Sequence, residues 1–64
     1  MKRKDLTKTL AQLAKANGVE FTFVRNGGSH DVWTFNGANI AIPRHNEVNE
    51  MTARTIIKTA RGAI

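Results

Sequence analysis

The side chains with most chemistry to offer in this 64-residue sequence are two histidines, a lone serine and ten Lys and Arg. His30 directly follows Gly27-Gly28-Ser29. An imidazole titrates near neutral pH and so can serve as a general acid or base. Acting on RNA it needs no protein nucleophile, because the 2′-hydroxyl beside each phosphate supplies one. A base at His30 would take that proton, and the oxygen would attack phosphorus. A 2′,3′-cyclic phosphate and a free 5′-hydroxyl would result, with no metal required. The plainer reading has His30 opening a strand and hydrogen-bonding locally. Gly28 and Ser29 could let the backbone approach a phosphate and set the angle of the imidazole, or form an ordinary hairpin loop. Asp31 is the obvious orienting carboxylate by proximity, but adjacent strand residues point to opposite faces, which argues against that role. Arg44 and His45, after Pro43, read as a phosphate contact and a second acid, or as a solvated loop. Two histidines with no third ligand at suitable spacing do not make a metal site. The absence of cysteine excludes thiolate zinc sites, disulfides and a thiol nucleophile.

These residues need elements to position them. Leu6, Leu10, Leu13 and Ala14 fall on one stripe of a helix predicted over Asp5 to Ala16, and Asn17-Gly18 ends it. From Val19 the period changes to two. Val19, Phe21 and Phe23 alternate against Glu20, Thr22 and Val24 up to Arg25, which predicts a half-buried strand. Asn26-Gly27-Gly28-Ser29 reads as a turn, and His30 to Phe35 as a second strand. Within it His30, Val32 and Thr34 share one face, and Asp31, Trp33 and Phe35 the other. Asn36-Gly37 is a strong hairpin signal, so Asn39 to Ile42 should return antiparallel, stopped by Pro43. A loop over Arg44 to Glu50 then leads to a helix capped by Asn49, with Ala53, Ile56, Ile57, Ala60 and Ile64 as its apolar stripe. The expectation is one α+β domain over residues 1–64, in α-β-β-β-α order. A three-stranded antiparallel sheet carries both helices on one face. Whether the Pro43-Arg44 end lies beside the glycine turn or opposite it is open at this stage.

Charge narrows the partners. Ten cations against five Asp and Glu give +5 and a pI near 10.5, which favours a polyanion or an acidic protein. Lys2, Arg3, Lys4 and Lys8 cluster at the first helix, and Arg54, Lys58 and Arg61 recur on the last, so each helix carries a basic face that could hold phosphate. At this length folding buries only about 60% of the chain's surface, which leaves no room for a buried cofactor. No apolar run approaches the roughly 20 residues of a membrane span. Asp5, Lys8, Gln12 and Lys15 interrupt any export signal. A soluble, cytoplasmic protein with no membrane or small-molecule cofactor is expected.

The element order matches the layout of the double-stranded RNA-binding domain. More specifically, Gly27-Gly28-Ser29-His30, then Ile42-Pro43-Arg44-His45, then Thr52-Ala53-Arg54-Thr55-Ile56-Ile57-Lys58, resembles the HicA family of mRNA interferase toxins over nearly the whole chain. That resemblance implies a type II toxin–antitoxin system in which a ribonuclease cleaves mRNA and is neutralised by a HicB-type antitoxin. It implies His30 as the catalytic histidine. Gly28, Ser29, Arg44, Arg54 and Lys58 are the candidate RNA contacts. Asp31 stands where many members carry another residue, so no role of that neighbour transfers. The alternative from the residues is a noncatalytic RNA-binding module of the same fold. Phe21, Phe23, Trp33 and Phe35 are expected to pack in the core first; an exposed pair would suit an antitoxin interface.

Overall fold

A computed structural model describes all 64 residues, Met1–Ile64. Its elements are α1 (Arg3–Ala16), β1 (Phe21–Gly27), β2 (His30–Phe35), β3 (Ala38–Pro43) and α2 (Glu50–Gly62). The α-β-β-β-α order expected from periodicity is the order observed, in one antiparallel sheet arranged β1-β2-β3.

Helix α1 buries Leu6, Leu10 and Ala14. It starts two residues before the expected Asp5, without a side-chain cap. Loop backbone does the capping work instead: the Arg3 amide donates to the Asn46 carbonyl at 2.9 Å, and Lys2 forms an isolated bridge with Glu47. At the other end Gly18 adopts φ +65, the left-handed conformation that releases the chain toward β1. Helix α2 opens with Asn49 accepting from the Met51 amide at 2.8 Å and buries Ala53, Ile56 and Ala60. Ile64 does not extend that stripe. The helix stops at Gly62, so residue 64 no longer follows helical spacing, and it is exposed.

Asn36 at φ 51 and Gly37 at φ +84 form the two-residue turn between β2 and β3, where both positions require a left-handed backbone. The turn between β1 and β2 is tighter than the sequence suggests. Asn26 and Gly27 pair with Asp31 and His30, leaving Gly28 and Ser29 alone as the turn. Pairing of the backbone groups of Asn26 and Gly27 satisfies donors and acceptors that a four-residue loop would leave to water. In β1 the register slips between Phe23 and Arg25, which makes Val24 the extra residue of a β-bulge.

Both helices lie on one face of the sheet. Phe35, Ile40 and Ile42 from that face join the helix stripes and Val48 in a single core of ten buried residues. Phe21 and Trp33 pack against it and are half-buried. The opposite face carries Thr22, Asn39 and Ala41, all exposed, and carries no helix. No helix is long and apolar enough to cross a membrane.

Candidate active site at the hairpin end of the sheet

The antiparallel ladder settles the position that sequence left open. His30 pairs with Gly27 on one side and with Pro43 on the other, so Arg44 emerges beside the Gly28-Ser29 turn. The Arg44 amide donates to the Ser29 carbonyl at 3.2 Å, and its guanidinium Nη1 donates to the Gly28 carbonyl at 2.8 Å. Gly28 adopts φ +53, a conformation in which a side chain would strain the turn. The turn that presents His30 is therefore held by its own backbone geometry and by a cation from the end of β3.

Asp31 reinforces this clamp from the helix side. Its side chain is only 15% exposed and sits between two guanidiniums, 3.3 Å from Arg44 Nε and 3.7 Å from Arg3 Nη1. Its Oδ1 is buried without a hydrogen-bond partner, so the Arg44 contact is ionic and imperfectly directed. Alternation along β2 sends Asp31 away from the imidazole, as the sequence indicates, and the carboxylate serves Arg3 and Arg44 instead.

His30 lies exposed on the open face of the sheet. The Ser29 hydroxyl is 3.1 Å from its Nδ1. A hydroxyl can accept from an Nδ1–H or donate to a bare Nδ1. In the first case Nε2 carries the lone pair of a base, and once it has taken a proton the imidazolium still donates Nδ1–H to the hydroxyl. One hydrogen bond from Nδ1–H to Ser29 thus serves both the base and the acid form of the ring.

One cation at this site escapes the sequence pattern. Strict alternation would put Arg25 on the face of Phe21 and Phe23. The bulge at Val24 shifts it by one, so Arg25 pairs with Val32 and turns to the open face. A Cβ placed on Gly27 would sit 3.5 Å from Arg25 Nη1 and 3.6 Å from Val32 Cγ2, which puts the guanidinium over the bare backbone opposite His30. Residues related as Arg25 and His30 are diagonal neighbours, about 7–8 Å apart in antiparallel sheets, within reach of a long side chain. Only the Gly27-Gly28 pair hints at such a bulged, close-packed end in the sequence.

The structure gathers Gly28, Ser29, His30 and Arg44 at one end of the sheet. It does not gather the rest. Arg54 and Lys58 are exposed on α2, whose core stripe faces the sheet from the other side, so they lie across the sheet from His30. His45 is exposed, two residues beyond the partner of His30. The open-face cluster can accept a phosphate at Arg25 and exchange a proton at His30.

Comparison with protein-family models, with curated proteins and with solved structures finds no match for this chain.

Proposed function

We propose that this chain is a HicA-like toxin: an endoribonuclease of double-stranded RNA-binding-domain-like fold that cleaves mRNA in the cytoplasm. On this reading it works without a metal and is neutralised by a HicB-type antitoxin. The observation that carries the reading is the open-face cluster, in which the His30 Nδ1 is engaged by Ser29 at 3.1 Å while the Arg25 guanidinium lies over Gly27. His30 Nε2 takes the 2′-hydroxyl proton, the 2′-oxygen attacks phosphorus, and the P–O5′ bond breaks, the 5′-oxygen leaving as a hydroxyl with the proton that the His30 imidazolium gives back. Arg25 stabilises the charge that gathers on the phosphoryl oxygens. Arg44, with two contacts to Gly28 and Asp31, positions the turn and offers its remaining donors to the RNA backbone. Arg54 and Lys58 serve as more distant backbone contacts on the helix layer.

One histidine beside phosphate-binding cations supplies about 10²–10⁴-fold by proton transfer, which makes a slow nuclease. A slow nuclease is sufficient where its product is growth arrest. The test is end analysis of a labelled mRNA incubated with the protein in EDTA. Cyclic-phosphate and 5′-hydroxyl ends are expected from the native protein. His30→Ala should lose about 10²–10⁴-fold in cleavage rate while keeping its melting temperature. Salt-sensitive binding without any cleavage would replace this reading with that of a noncatalytic RNA-binding module.

A further inference from the structure

The one concavity of the molecule lies on the side of the sheet opposite His30, where the first turn of α1 meets the loop after β3. It is an open groove of about 610 Å³ with Lys2, Arg3 and Lys4 along one wall and Trp33 as its single apolar lining residue. We propose that this groove binds one nucleotide of single-stranded RNA, the base against Trp33 and the phosphate on the three cations. The inference rests on the reading of the chain as an RNA-acting protein and extends it to a subsite remote from His30.

The lining chemistry selects the occupant. Grooves that receive apolar peptide segments are lined mainly by apolar side chains. Here one flat ring stands among polar groups, which suits a ligand that is flat on one side and anionic on the other. The ring is also fixed in place. Phe21 stacks on it at a centroid distance of 4.5 Å and 12°, and Phe23 meets it edge-on at 5.5 Å. A base stacking there orders little that is not already ordered. Thr7 and Asn46 complete the lining with groups that can read a base edge. The Thr7 hydroxyl donates to the Lys4 carbonyl at 3.0 Å, which leaves its oxygen free to accept. Glu47, the one acid in the wall, lies 3.6 Å from the Met1 amino group. Bases in a duplex are stacked on one another and cannot offer a face to the indole, so the strand must be single.

Groove and catalytic face are joined through β2. Trp33 is three residues from His30, about 10 Å along a strand. Arg3 in the groove wall also holds Asp31, the residue next to His30. A single strand leaving the groove round this end of the sheet reaches the imidazole.

Trp33 is the sole tryptophan of the chain, so its fluorescence reports the groove directly. The full chain carrying His30→Ala, which removes cleavage, is titrated with an eight-nucleotide oligouridylate. An RNA duplex of the same length and an eight-residue oligoglutamate are titrated in parallel. The single strand should quench Trp33. The Lys2→Ala/Lys4→Ala double variant, altered at two exposed side chains, should bind it about tenfold more weakly, with a salt slope smaller by about 1.4. Circular dichroism checks that the double variant keeps its fold. No quenching, or unchanged binding by the double variant, overturns the proposal. Duplex or oligoglutamate binding as tight as the single strand also overturns it, the latter in favour of an acidic protein partner. Cleavage by the native protein is scored separately. Cleavage without a Trp33 response removes the groove and keeps the nuclease; a Trp33 response without cleavage does the reverse.

Discussion

The two faces of the β-sheet are built from the same three strands and do opposite work. The helix-side face carries Phe35, Ile40 and Ile42 into the core, with Phe21 and Trp33 at its margin. The open face carries His30, Arg25 and Val32 beside exposed Thr22, Asn39 and Ala41. A side-chain period of two lets consecutive residues of β2 belong to different tasks: His30 meets solvent while Asp31 ties Arg3 to Arg44. In a domain this thin, the stability required of the covered face leaves the other face free of packing demands. Chemistry can be placed there without weakening the fold.

That division is open to attack by substitution. The largest effect is expected at Phe35, which is fully buried: Phe35→Ala should cost about 3–5 kcal/mol, enough to unfold much of a small domain. Asn39→Ala on the exposed face should stay within about 0.5 kcal/mol. Urea denaturation measures both, and equal losses would erase the distinction between faces. Next comes Arg25→Ala, expected to lower kcat/KM on RNA by about ten- to a hundredfold with no change in melting temperature. A cleavage rate equal to that of the native protein would remove Arg25 from the open-face site. Asp31→Ala probes the link between the faces. Loss of the carboxylate leaves two guanidiniums facing each other and should cost about 1–2 kcal/mol, more at low salt than at high. Thermal melts across a salt series read this, and a salt-independent loss would mean that packing rather than charge holds the turn. The last substitution, Gly27→Ala, is expected to cost less stability than Asp31→Ala: its new Cβ would lie 3.2 Å from the His30 carbonyl oxygen and 3.5 Å from Arg25 Nη1. Displacing that guanidinium should slow cleavage while stability falls by under about 1 kcal/mol.

Much of this arrangement is legible in the sequence, because periodicity is a local property. The 3.6-residue stripe of Leu6, Leu10 and Ala14, and the alternation of Asp31, Trp33 and Phe35 against His30, Val32 and Thr34, give the elements and their faces. Asn49 announces the α2 cap and Asn36-Gly37 the second hairpin. Two things are not local. The bulge at Val24 depends on how β1 pairs with β2, and without it Arg25 is assigned to the wrong face. The meeting of Arg44 with the Gly28 carbonyl depends on the β2–β3 register, which is set at the far end of the hairpin, where the two-residue Asn36-Gly37 turn pairs Phe35 with Ala38 and so carries His30 to Pro43. The early start of α1 has the same origin, since the groups that cap it come from residues 46 and 47. The candidate site is therefore readable as a list of residue types, and the selection among its cations comes only from pairing.

The stitch between Lys2 or Arg3 and residues 46–47 also bears on the order in which the molecule assembles. Both β-hairpins close over two-residue turns, so their ladders join residues near in sequence and carry little loop-closure entropy. The stitch joins segments more than forty residues apart and is among the most non-local contacts in the fold. It is expected to form after the meander, and amide exchange there should be faster than in β2. A chain emerging from the ribosome would therefore display His30 on its hairpin before the groove beside Trp33 exists, because Asn46 and Glu47 must first be made.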